Sequence, residues 1–127
     1  MGRETHVRTQ TLYLSRVYAV LAWLLAALAV LHMATTFRLT SASTFTKVWF
    51  FGAGVAMAQT AALNLLHRAY GRAALGWVTR GSNAVMLALA AVGGLVTGAS
   101  ATELVVILGA LATLLVLSFI DSATRSH

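Results

Sequence analysis

Four apolar runs, at about residues 12–37, 47–67, 74–98 and 102–120, decide what this chain can fold into. A bilayer core about 30 Å thick takes about 20 apolar residues per crossing helix, so each run is close to one span in length. Together they use nearly all of the 127 residues and leave no room for a soluble domain. The balance of side chains agrees. Apolar residues make up 59% and charged residues 9%, against about 45 to 50% and 25% in soluble domains. The expectation is an all-α fold: one domain over residues 1–127, an integral membrane bundle of four transmembrane helices. Pro is absent, which removes the usual source of helix kinks.

The first run follows a polar lead with Arg3, Glu4, His6 and Arg8. A cleaved secretory leader competes here, because a basic lead, an apolar stretch and Ala27-Leu28-Ala29 imitate its three regions. The run continues through Val30, Leu31, Met33 and Ala34, which makes it long enough to span, and an uncleaved helix fits better. The third run has the least certain start, at Ala73 or Ser82, since Gly71, Gly76 and Gly81 blur it.

Basic residues set the expected orientation, because cytoplasmic loops retain an excess of Lys and Arg. Arg3, Arg8, Arg16, Arg68, Arg72, Arg80 and Arg125 fall on the side shared by both termini and the middle loop, against Arg38 and Lys47 on the other. Both termini are therefore expected in the cytoplasm. Trp49 and Trp77, at the starts of the second and third spans, read as interface anchors. The net charge of +6 resembles that of a nucleic-acid binder, yet the charges flank apolar runs. Lipid headgroups are thus the expected counterion, and no nucleic-acid partner is expected. The absence of Cys excludes disulfides, thiolate metal sites and CxxC redox chemistry.

Helices associate in lipid through close contact between small side chains, and each span offers a stripe of them. These are Ala22, Ala26 and Ala29; Gly54, Ala58 and Ala62; Ala90, Gly94 and Gly98; and Gly109 with Ala112 and Thr113. The third stripe carries the strongest expectation, because Gly is the rarer residue and lets backbones approach closest. Packing within the bundle is preferred over dimerisation, since a bundle first uses such stripes on itself.

Polar side chains inside the spans form the candidate polar cavity: His32, Gln59, Asn64 and Asn83. His32 shares a helical stripe with Tyr18, Ala22, Leu25, Ala29 and Thr36. It reads either as a ring bonded to a backbone carbonyl, Thr35 or Thr36, or as a titrating group at the outer mouth of a cavity. Haem ligation by His32 and His67 is opposed by geometry, because the two residues end helices running in opposite directions, about 30 Å apart. Asn64 and Asn83 flank the connection between the second and third spans, so a hydrogen bond across the helices is expected. Gln59, nearer the midplane, is the better candidate for a pore or substrate site.

No residue pattern identifies a reaction: Glu4, Glu103 and Asp121 are scattered in sequence and on both sides of the membrane. The first span also lacks the embedded Glu on which small four-helix multidrug transporters rely. The expected role is non-enzymatic, with no cofactor: an accessory or structural subunit of a larger membrane complex. The alternative is a small homo-oligomeric transporter or channel lined by Gln59, Asn64 and Asn83. The expected location is the inner (cytoplasmic) membrane of a bacterium, and the Ala-rich usage points to a GC-rich genome.

Overall fold

The computed structural model describes the backbone of residues 2–97 and 100–125 and the side chains of residues 9–96, 100–102 and 104–120. Four helices follow one another, α1 (Gly2–Thr36), α2 (Thr44–Tyr70), α3 (Ala73–Thr97) and α4 (Ala101–Arg125), with no strand among the described residues. Short connections make successive helices antiparallel neighbours. α1 packs most extensively on α2 and α3 on α4, α2 joins the two pairs through α3, and α1 closes the ring against α4. Among the described residues the α1 and α3 backbones do not come close, so these two helices lie across the diagonal.

The helices outrun the apolar stretches for local reasons. α1 starts at Gly2, because the polar lead contains strong helix formers and no Pro to stop it. α2 starts three residues before Lys47: the extended Ser43 accepts a hydrogen bond from the Thr46 N–H at 3.1 Å and caps the helix. It ends at Gly71, whose φ of 62° is left-handed and whose N–H bonds the His67 carbonyl at 2.9 Å. A side chain at that φ would be strained, so Gly71 makes a two-residue connection to α3 workable. Gly76 and Gly81 do not interrupt α3, and its start is Ala73 rather than Ser82.

Three helices are long and apolar enough to cross a membrane, over Thr9–Thr36, Thr44–Tyr70 and Ala73–Val96. The fourth has a shorter apolar stretch, Leu104–Ile120, which at 1.5 Å per residue reaches about 26 Å. The core is narrow. Tyr18, Ala22, Leu25 and Ala29 follow the helical period on α1 and meet Met57 and Ala61 of α2, with Met86 and the α4 residues Leu111, Leu114 and Leu117 completing it. Outside, large apolar side chains stand open, Phe45 at 79% and Val96 at 81% exposure. Such a surface would drive aggregation in water and is matched by acyl chains.

α1 and α2 come into tight contact at Gly54. A Cβ there would meet Met33 Cγ at 2.5 Å and the backbone Ala29 O and Met33 N at 3.2 Å. On α2 the small-residue stripe continues through half-buried Ala58 to buried Ala61, not to Ala62, which is exposed. Ala61 lies seven residues from Gly54, two turns and about 20° out of line, while Ala62 is rotated about 80° away. Ala90 and Gly94 are half-buried, and Gly98 lies outside the described residues. Gly109 is exposed with nothing within 4 Å of an added Cβ, because it stands about 140° around α4 from the buried Leu114.

Candidate functional site

The end of the bundle that carries the Gly71 connection holds a buried polar cluster drawn from all four helices. Tyr18 of α1, Thr60, Asn64 and His67 of α2, Thr79 and Asn83 of α3, and Ser118 of α4 are each at most 2% exposed. Unpaired polar groups cost most in such surroundings, so where each hydrogen bond goes decides what the cluster can do.

Asn64 is the hub. Its Nδ2 donates to Asn83 Oδ1 at 2.7 Å and to the Thr60 carbonyl at 2.7 Å. Its Oδ1 accepts from Asn83 Nδ2 at 3.0 Å and from the Tyr18 hydroxyl at 2.8 Å. Both donors and both acceptor positions of the amide are thus filled, and three helices meet on one side chain. The Tyr18 phenol has a single proton and gives it to Asn64. The 3.3 Å contact between Tyr18 Oη and His67 Nδ1 is then a bond in which Nδ1–H donates. The Tyr18 and His67 rings meet edge-on at 6.3 Å and 77°.

Further bonds extend the lock along the α2–α3 hairpin. Thr60 Oγ1 lies 2.9 Å from Ser82 Oγ, and the Thr79 hydroxyl reaches the Leu63 carbonyl at 3.2 Å and the Leu75 carbonyl at 2.8 Å. At the rim, Arg68 Nε donates to the backbone carbonyl and hydroxyl of Ser15, at 3.0 and 3.1 Å, tying α2 to α1. Arg80 ties α3 to α4: its Nη2 donates to the Ser118 carbonyl at 3.4 Å and its guanidinium lies 4.4 Å from the Phe119 ring centre and 5.3 Å from that of Trp77. Side-chain bonds between membrane helices average about 0.6 kcal/mol, so the arrangement gains its strength from number and mutual orientation.

The structure brings Asn64 and Asn83 together and leaves the other two candidates elsewhere. Gln59 is exposed on the outside of the bundle. The helical period explains this: five residues before Asn64, Gln59 is rotated about 140° away from it, whereas Thr60, four residues before, is offset by only about 40°. His32 sits fourteen residues beyond Tyr18 on α1, about 21 Å along the axis, near the opposite end of the bundle. There it is half-buried and stacks on Phe50 of α2, with ring centres 3.6 Å apart at 18°. The Thr36 hydroxyl bonds the His32 backbone carbonyl at 3.3 Å rather than its ring. The four residues expected around one polar cavity therefore occupy three separate places.

Sequence reasoning missed Tyr18 and His67 as members of the cluster, together with Thr79, Ser82 and Ser118. A signal existed for some of them. Thr60, Asn64 and His67 recur at four and three residues, and Thr79 and Asn83 at four, so each set marks one helical stripe. Among the described residues no group of three or more His, Cys, Asp or Glu gathers where it would hold a metal ion.

Compared with protein-family models, with curated proteins and with solved structures, the chain matches none.

Proposed function

We propose that the chain is a non-enzymatic multi-pass membrane protein that serves as an accessory or structural subunit, in the inner membrane of a bacterium and with both termini in the cytoplasm. The observation that carries this reading is the Asn64 hub: its amide is fully buried and every hydrogen bond it can make is spent on Tyr18, Thr60 and Asn83. A solute path needs polar groups that face a wet cavity and remain free to bind what passes. Here Tyr18, Thr60, Asn64, His67, Thr79 and Asn83 bind helix to helix. Gln59, which a pore would need inside, faces outward. What remains for other molecules is the broad apolar exterior, suited to lipid and to the flank of a neighbouring membrane chain.

Extraction in a mild detergent followed by native mass spectrometry tests the proposal. A different chain held at fixed stoichiometry is the expected result. A closed ring or dimer of this chain alone, coupled to flux of a small solute in reconstituted vesicles, would overturn it in favour of a transporter that pools polar groups across copies.

A further inference from the structure

At the same end of the bundle, a groove of about 520 Å³ opens on the outer surface where α2 turns into α3. Its walls are Leu66, Ala74, Leu75 and Val78, and at its rim stand Tyr70 and Arg72, on either side of Gly71. Leu66 and Val78 are 45% and 57% exposed, and Tyr70 and Arg72 are also open. Among the described residues, neither the Arg72 guanidinium nor the Tyr70 hydroxyl has a hydrogen-bonding partner. The groove is apolar along its length and carries a cation and a phenol at one end.

We propose that this groove holds one anionic phospholipid, with its phosphate on Arg72 and Tyr70 and the first part of an acyl chain along Leu66, Leu75 and Val78. The match is one of depth as well as charge. Arg72 and Tyr70 flank the connection between two spanning helices, which places them where a bilayer has its headgroups. From Arg72 to Val78 the helix rises about 9 Å, the length of about seven methylenes below a glycerol backbone. An arginine binds a phosphate through paired N–H donors, and a tyrosine at this depth keeps its ring in apolar matter while its hydroxyl reaches the headgroup. A zwitterionic lipid offers the same chain and phosphate, but its own ammonium competes with Arg72, so the arrangement prefers a headgroup with net negative charge. This site needs no partner chain and stands apart from the subunit reading.

The test is native mass spectrometry of the full chain in detergent, titrated with phosphatidylglycerol or phosphatidylcholine of the same acyl composition. One phosphatidylglycerol retained in preference to phosphatidylcholine is the expected result, with Arg72→Gln lowering its retention about tenfold, as loss of one charge-assisted contact implies. Arg16→Gln, an exposed arginine on α1 away from the groove, is expected to leave retention unchanged. Leu75→Gln, which puts an amide into the apolar wall, is expected to weaken retention of either lipid. Equal retention of the two lipids, or equal losses in Arg72→Gln and Arg16→Gln, would overturn the proposal. So would displacement of the lipid by millimolar inorganic phosphate, because the apolar wall would then contribute nothing.

Discussion

Replacing Gly54 by Ala adds one methyl group where α1 and α2 are in tight contact, and its effect follows from the atoms that it would meet. Met33 Cγ, at 2.5 Å, belongs to a flexible side chain and can swing away. The Ala29 carbonyl oxygen and the Met33 nitrogen, both at 3.2 Å, are helix backbone and move only if the two helices part. Overpacking of this kind costs about 1 to 3 kcal/mol. Against it stands the gain of up to about 1 kcal/mol for removing a glycine from a helix interior. Gly52→Ala isolates that gain, since nothing lies within 4 Å of an added Cβ two residues away on the same helix. Gly52→Ala is therefore expected to be neutral or more stable by up to about 1 kcal/mol, and Gly54→Ala to lie about 1 to 3 kcal/mol below it. Equilibrium unfolding of the detergent-solubilised protein by increasing dodecyl sulfate, followed by tryptophan fluorescence, measures both. If Gly54→Ala gains as much as Gly52→Ala, the α1–α2 contact is looser than described and the reasoning fails.

His32→Gln is expected to cost about 1 kcal/mol, because it removes a stacked aromatic pair worth about 0.5 to 1.5 kcal/mol from a half-buried position; Phe50→Leu should cost about the same and the double variant no more. The same unfolding titration checks this, and additive losses would show that the rings do not interact. For topology, reporters of cytoplasmic location fused at Met1, near Arg72 and after His127 are expected to be active and one near Ser41 inactive. Activity at Ser41 would reverse the proposed orientation.

The fold was legible because its dominant signal is coarse: runs of about 20 apolar residues without Pro leave few alternatives to spanning helices. Helix ends were less so, since apolar length says nothing of capping, and the Ser43 cap and the Gly71 turn each carry α2 beyond the apolar run. The Asn64–Asn83 bond could be anticipated because a tight hairpin places the residues flanking it at similar depth. Tyr18 and His67 escaped because the stripe that holds Tyr18 does not say what it meets, and His67 comes to face it only because α2 continues as helix to Tyr70. Gln59 was misplaced because polarity was weighed without rotation about the helix axis, and Gly109 because small-residue spacings recur by chance in a chain so rich in Ala.

The central claim is that the interior polar side chains hold helices together, and a double-mutant cycle on Asn64 and Asn83 tests it most directly. Asn64→Leu, Asn83→Leu and the pair are compared by unfolding in detergent. Two reciprocal bonds at about 0.6 kcal/mol each give an expected coupling of about 1.2 kcal/mol. Each single variant also strands a partner amide in apolar surroundings, and Asn64→Leu already loses the bonds to Tyr18 and Thr60, so the double variant should cost little more than Asn64→Leu alone. Losses that simply add, with coupling indistinguishable from zero, would mean that the two amides do not bond across α2 and α3, and the helix-lock account would be wrong.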